Sequence, residues 1–437
     1  MHSNPSLKKV LKPVHLWALA VGLVISGEYF GWNLGWDVAG TGGFLIATII
    51  VTVFYVTFIF SFTELTAAIP QAGGPFTYAY KALGPLGGVI AGYATLVEFL
   101  LAPPAVAFAL GSYMHFLHPA IPVLPVAIGC YVVFTIINML GIKESAMFSL
   151  IVTLLAVTEL LVFMGIVAPA FKWENFNQDA MPFGWGGVFA AIPFAIWFYL
   201  AIEGVAMVAE EVKDPQRTIP KGYISSIVTL TLLALGVMFF TGGVTNWHNL
   251  SRIDYPLPEA ISIVLGKQNS WTKIFAGIGL FGLVASFHGV IISYSRQLYA
   301  MARSGYLPQV LARVHTRFRT PHIAMIAGGV IGIIALCLGN TGQVITLSAL
   351  GAVVMYIISM ISLLVLRRKQ PTLERPFKVP LYPWFPVIAL VLGVVCLVAI
   401  IWYNLLMSVV FFGVLVLIII PFMLYRKKAT RQRGIKA

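Results

Sequence analysis

The chain has 437 residues, 59% hydrophobic and 10% charged, with a mean hydropathy of +0.92 and a formal net charge of +13. A soluble domain carries about a quarter charged residues, so this composition excludes a water-covered globule and points to a polytopic membrane protein. The three cysteines, Cys130, Cys337 and Cys396, each lie in an apolar run, a placement that argues against a disulfide framework or a thiolate metal site.

Residues 1–13, MHSNPSLKKVLKP, are polar and basic, and no small-residue cleavage pattern closes the apolar run behind them. They are expected to form a short cytoplasmic tail ahead of a first spanning helix, not a removed leader. With roughly 20 apolar residues needed per crossing, the sequence predicts twelve spans: 14–36, 43–69, 85–116, 121–140, 145–169, 187–209, 222–244, 271–302, 322–339, 343–366, 381–404 and 406–425. A basic tail, 426–437, closes the chain. An N-terminus in the cytoplasm puts 23 of the 28 Lys and Arg on the inner side and only Lys172, Arg252, Lys267 and Lys273 outside, with Arg296 inside a span. This asymmetry follows the positive-inside rule and places both termini in the cytoplasm. The basic charge is therefore an orientation signal, and nucleic acid is excluded as a partner.

Two spans are interrupted alike. The first reads ISGEYFG and the sixth FYLAIEGVAM, each setting a Glu beside a Gly at mid-depth. Such a pair, five spans apart, points to an inverted repeat whose discontinuous helices frame a binding site. The expected repeats are 14–169 and 187–366, with the helices of 381–425 added.

Three further stretches carry a resemblance. Residues 64–85, ELTAAIPQAGGPFTYAYKALGP, resemble the signature after the second helix of amino acid–polyamine–organocation (APC) transporters. EEVKDPQRTIP, 210–220, resembles that family's loop after helix 6, and SRQLYAMARSGYLP, 295–308, its helix 8 exit. The three occur in the family's order over nearly the whole chain. Within the family, SGEYFGWNLG in the first span is most similar to ethanolamine permeases. The resemblance implies an all-α, leucine-transporter-like fold of five plus five helices, with alternating access around broken helices 1 and 6.

Amino acid carriers of this family usually keep the helix 1 break small and uncharged, so that backbone N–H groups hold the substrate carboxylate. Here Glu28 stands in or beside that place, and a second carboxylate would be repelled. The expected substrate is thus an amine without an acid group, with Glu28 in the role of the missing carboxylate. By the resemblance, Trp197 falls at an aromatic gate and Glu203, beside Gly204, at the helix 6 break. An ammonium between Glu28 and Glu203, facing Trp197 or Tyr29, would gain charge-assisted hydrogen bonds and cation–π attraction. A small hydroxyl would bond to Ser26 or to exposed backbone near Gly27. Ethanolamine fits that description.

Glu98 and Glu159 also lie at mid-span, and Glu159 falls where some family members have a lysine in place of a sodium site. Each central acid costs about 2.5–3.5 kcal/mol on insertion, so four need a return in function or pairing. Glu98, Glu159 and His288 are the candidates for coupling to a proton or cation. Glu64, Glu210, Glu211, Lys213, Asp214 and Arg217 belong to loop motifs and are expected to form an inner gate of salt bridges and caps. Trp36 reads as an interface anchor, and Pro103 and Pro104 as a kink in the third span.

No GxxxxGK[ST] phosphate loop, HExxH motif or nucleophile–base set occurs in the sequence. The expectation is a secondary permease, not an enzyme, without cofactor or metal, importing ethanolamine or a similar amine across a bacterial plasma membrane. An amino acid or polyamine exchanger on the same fold is the alternative. A sensor or channel is disfavoured by the short tails, and a channel would show neither saturation nor counterflow.

Overall fold

A computed structural model gives the architecture; its described residues are 9, 11–71, 73–140 and 146–434, the side chains of 146, 148 and 424–434 excepted. Lys8, Lys143 and the basic side chains expected to cap 426–437 lie outside that description. Sixteen α-helices follow in order: α1 Pro13–Val24, α2 Ser26–Tyr29, α3 Leu34–Ala68, α4 Gly74–Leu117, α5 Val123–Met139, α6 Ala146–Val167, α7 Trp173–Asn177, α8 Gly184–Ala190 and α9 Ile192–Trp197. A 3-10 segment, Ile202–Glu211, leads to α10 Pro215–Gly242, α11 Pro256–Leu265, α12 Ser270–Arg303, α13 His322–Leu338, α14 Thr341–Lys369, α15 Trp384–Tyr403 and α16 Leu405–Gly434. Among the described residues no named strand occurs.

Nine helical segments of the described chain are long and apolar enough to cross a membrane. Three of the expected crossings fall instead on the shorter apolar helices α1, α5 and α13. The division between 322–339 and 343–366 is a real helix end: Gly339 leaves the helix, and Asn340 caps α14 in a box with Gln343. The end of the first expected span and all of the second run together as α3, which turns at Gly40 (φ 69°).

α4 is the central post, with α14 and α12 packed along it, while α3 lies against α10 and α15. Close approach of α14 to α4 depends on Gly351. A Cβ there would lie 2.6 Å from the Ala94 carbonyl oxygen and 2.8 Å from the Glu98 backbone nitrogen. Outward faces are apolar, with Leu232, Phe281, Trp402, Leu406 and Leu417 all exposed, as a hydrocarbon surrounding requires.

Pro103 and Pro104 lie within a continuous α4, whose dihedrals leave the helical range at Gly84 (φ 78°), ahead of Pro85. One expectation is corrected. Trp36 is no interface anchor, because it is fully buried and meets Trp32 edge-on at 4.8 Å.

One short pairing joins distant parts of the chain. Leu11 donates its N–H to the Glu211 carbonyl (3.1 Å), and Lys213 donates to the Leu11 carbonyl (2.9 Å). The start of α1 is thereby tied to the end of the 3-10 segment.

Gly351→Ala should lower the thermal midpoint by the equivalent of about 1–3 kcal/mol, the usual penalty of overpacking. Gly277→Ala, on α12 where nothing lies within 4 Å of the added Cβ, should leave it unchanged or raised. Melting curves of the two purified variants check the contrast.

Candidate functional site

Helix α2 ends because Phe30 is fully extended (φ −162°, ψ 173°) and Gly31 takes a left-handed φ of 86°. Unwinding frees backbone carbonyls in an apolar setting, where each needs a donor. Side chains supply them. Trp32 Nε1 donates to the Glu28 carbonyl (3.1 Å), the Tyr113 hydroxyl to that of Tyr29 (3.2 Å) and Trp197 Nε1 to that of Phe30 (3.0 Å). The Gly31 N–H donates to Asn33 Oδ1 at 3.0 Å. Gly27 is required where it stands, because an added Cβ would run into the Trp197 carbonyl.

The second interruption follows α9. Ala201 is left-handed (φ 75°), a rare conformation for a residue with a side chain. Its N–H donates to Glu98 Oε1 at 3.3 Å, and the Glu203 carbonyl accepts from the Tyr223 hydroxyl at 3.3 Å. The two breaks therefore face each other through Trp197, whose ring also packs edge-on against Phe30 at 5.6 Å.

Between them lies a cavity of about 10 Å³, lined among others by Ser26, Ala102, Trp197, Ala201 and Ser286. That is room for one water at most. Ser26 and Ser286 are hydrogen-bonded to each other (2.8 Å), and the Ser286 hydroxyl also lies 2.7 Å from the Leu23 carbonyl.

The four mid-span acids are all buried, and they are partitioned in a way the sequence does not reveal. Glu28 is fully buried with no hydrogen-bond partner on either carboxyl oxygen. Glu203, expected to face Glu28 across a solute, has a partner of its own. Its Oε2 accepts from Tyr356 (2.9 Å), and its carboxyl lies within hydrogen-bonding reach of the Glu98 carboxyl. Two like unit charges about 4 Å apart repel by about 4 kcal/mol at an effective dielectric of about 20, so two such carboxylates do not both stay ionised without cost. Tyr29, expected as a cation–π face, instead donates its hydroxyl to Glu159 Oε2 at 2.6 Å. His288 sits buried on α12 beside Phe134, with ring centroids 6.4 Å apart. Gly204 closes against Leu23 and Phe99.

The expected gate residues are distributed differently from the single cluster the motifs suggest. Glu64, at the end of α3 and 1% exposed, accepts from Arg367 Nε (2.8 Å), is bridged by Arg375 (3.3 Å) and accepts from the Val379 N–H (2.8 Å). Arg367 in turn covers the Tyr382 ring at 3.8 Å. Glu211 pairs with Arg296 of α12 at 3.3 Å. Arg217 meets Asp214 at 4.0 Å in an exposed contact worth little. Glu210 is exposed, and Lys213 contributes its backbone, through Leu11 and through the Thr218 hydroxyl.

At the opposite end of α3, Asn33 Nδ2 donates to the carbonyls of Leu250 (2.6 Å) and Ile253 (2.8 Å), and Arg252 bonds Asp37 at 2.7 Å. Thr341, which opens α14, donates to Asp254 at 2.8 Å. Burial pushes the Asp254 carboxyl up to about 6, and the Thr341 bond opposes the rise.

Sequence reasoning missed Tyr356, Tyr113, Ser286, Arg367 and Arg375 as partners. Only the two arginines left a signal, in the RRK run of 367–369 and in Arg375, where they read as orientation charges.

A helical membrane protein organised around two facing breaks, closed at both ends by polar contacts, has the construction of a solute carrier. The sequence profile of the amino acid permease family matches residues 11–425, and the chain belongs to that family. It is similar to an uncharacterized transporter of Rhizobium meliloti, 29% identical over 89% of this chain and 85% of the relative. It is also similar to the branched-chain amino acid permease BcaP of Bacillus subtilis, 27% identical over 98% and 95%. The methylthioribose transporter of Bacillus subtilis is 27% identical over 88% and 87%.

Glu64→Ala should cost about 3–5 kcal/mol, because it leaves two partly buried arginines without their anion; thermal unfolding of the purified variant reads the loss. Asp254 sets a pH dependence. Its folded value lies above the ordinary one near 4, so its stabilising contribution is complete below about pH 4 and is lost as pH rises through about 6. Acidification from pH 7 to 5 should raise the melting temperature of the wild type relative to Asp254→Asn, whose profile should be flatter across that window.

Proposed function

We propose that this family member is a secondary permease for a small amine without a carboxylate, with ethanolamine the best-fitting solute. One observation carries the reading: a fully buried carboxyl at the first break, Glu28, has no donor on either oxygen. A cationic solute would supply that donor, and a solute carboxylate would meet like charge. Ser26 and Trp197 line the small cavity between the breaks, which Glu28 itself does not line; in an opened site they would receive a hydroxyl and the methylene groups. The Glu28 N–H is already directed at the Ile25 carbonyl (3.0 Å), which leaves less backbone free for an acid group.

In this reading the repeats 14–169 and 187–366 rock against each other. Both termini are cytoplasmic, the membrane is a bacterial plasma membrane, and import runs by alternating access. The driving ion is a proton or sodium, with Glu98, Glu159 and His288 as the coupling candidates. Relatives are named for branched-chain amino acids and for methylthioribose, so family membership leaves the solute class to this chain's own residues. An amino acid or polyamine permease is the second reading, supported by the end-to-end similarity to the branched-chain amino acid permease.

Uptake of labelled ethanolamine into proteoliposomes, with alanine, leucine, arginine, putrescine and choline as competitors, separates the two. Saturable uptake blocked by ethanolamine and not by alanine or leucine is expected. Block by the amino acids would transfer the assignment to the second reading. Glu28→Gln should weaken ethanolamine binding by about 10- to 100-fold, the worth of a charge-assisted hydrogen bond. Retention of affinity within a few-fold would remove Glu28 from the solute site.

A further inference from the structure

We infer that Glu98 and Glu203 form a carboxyl–carboxylate pair that binds one proton between two helices, so that the acid of the second break is satisfied by a proton and not by the solute. Both side chains are fully buried, and one oxygen of each, Glu98 Oε2 and Glu203 Oε1, receives no hydrogen from any other group. The two carboxyls lie within hydrogen-bonding reach of each other. Neither is a donor when ionised, so contact between them requires a proton on one.

The remaining oxygens have donors that fit a singly protonated pair. Tyr356 donates to Glu203 Oε2 at 2.9 Å and the Ala201 N–H to Glu98 Oε1 at 3.3 Å. The titratable groups turned toward the pair are tyrosines on three elements: Tyr356 on α14, Tyr55 on α3 and Tyr223 on α10. Cys396 on α15 faces Tyr55 behind them. Tyr55 and Tyr356 are themselves hydrogen-bonded at 3.1 Å, which extends the chain of exchangeable hydrogens from the pair to α3. The strained Ala201 turn is held by one member of the pair, while the other lies two residues further along the same break. Gain or loss of the shared proton therefore acts on the backbone of the break itself. As a transport device this rests on the permease reading; as a proton site it does not, and the test needs no substrate.

Infrared spectroscopy of purified protein in H₂O and D₂O at neutral pH isolates the proton as a carboxylic-acid C=O stretching band that shifts on exchange. In difference spectra against wild type, Glu98→Gln and Glu203→Gln should each remove the same band. The double substitution should remove no more than either alone, because an amide donor replaces the shared proton in each single variant. Tyr356→Phe keeps both acids and should shift the band without abolishing it, which tests the pair even where a glutamine variant fails to fold. Two independent bands, each removed by one substitution, would show separate protons and overturn the inference. So would the absence of any band that the double variant loses, or a band indifferent to Tyr356→Phe.

Discussion

Breaking a helix inside a membrane exposes polar backbone where water cannot reach it, and that constraint organises this protein. Each unsatisfied group in such a setting costs several kcal/mol. The first break resolves the problem with three donors drawn from three places: Trp32 locally, Tyr113 from α4 and Trp197 from across the second break. At the second break Glu98 accepts from the Ala201 N–H and Tyr223 donates to the Glu203 carbonyl. Both breaks thus satisfy their backbone with side chains instead of a regular helical ladder.

The buried acids divide along the same lines. Glu159 is committed to Tyr29 and Glu98 to the Ala201 turn, so each steadies one side of the break region. Glu28 alone among the four has neither oxygen engaged. Such a group is a strong acceptor left open at the first break. Polar ties stand at both ends of α3: Glu64 with Arg367 and Arg375 at one, and Asn33 with the loop before α11 at the other.

Much of this was legible in the sequence. Composition marks the membrane class, and Glu beside Gly at mid-span locates both interruptions, because acids and breakers are costly there without a purpose. Partner choice was not legible. Whether Glu203 faces Glu28 or Glu98 depends on how each helix is rotated about its axis, and a uniformly apolar helix carries little periodic signal to fix that rotation. The same ambiguity misled the reading of Trp36: an aromatic near a span end looks alike whether it faces lipid or, as here, packs inside against Trp32.

The pairing of Leu11 with Glu211 and Lys213 has a mechanical meaning. It fastens the first half of one broken helix to the last part of the other through two short backbone bonds. Through these two bonds a displacement of one half-helix at this end would be transmitted to the other, and the positions left free to absorb a change of angle are the non-helical ones, Phe30–Gly31 and Ala201.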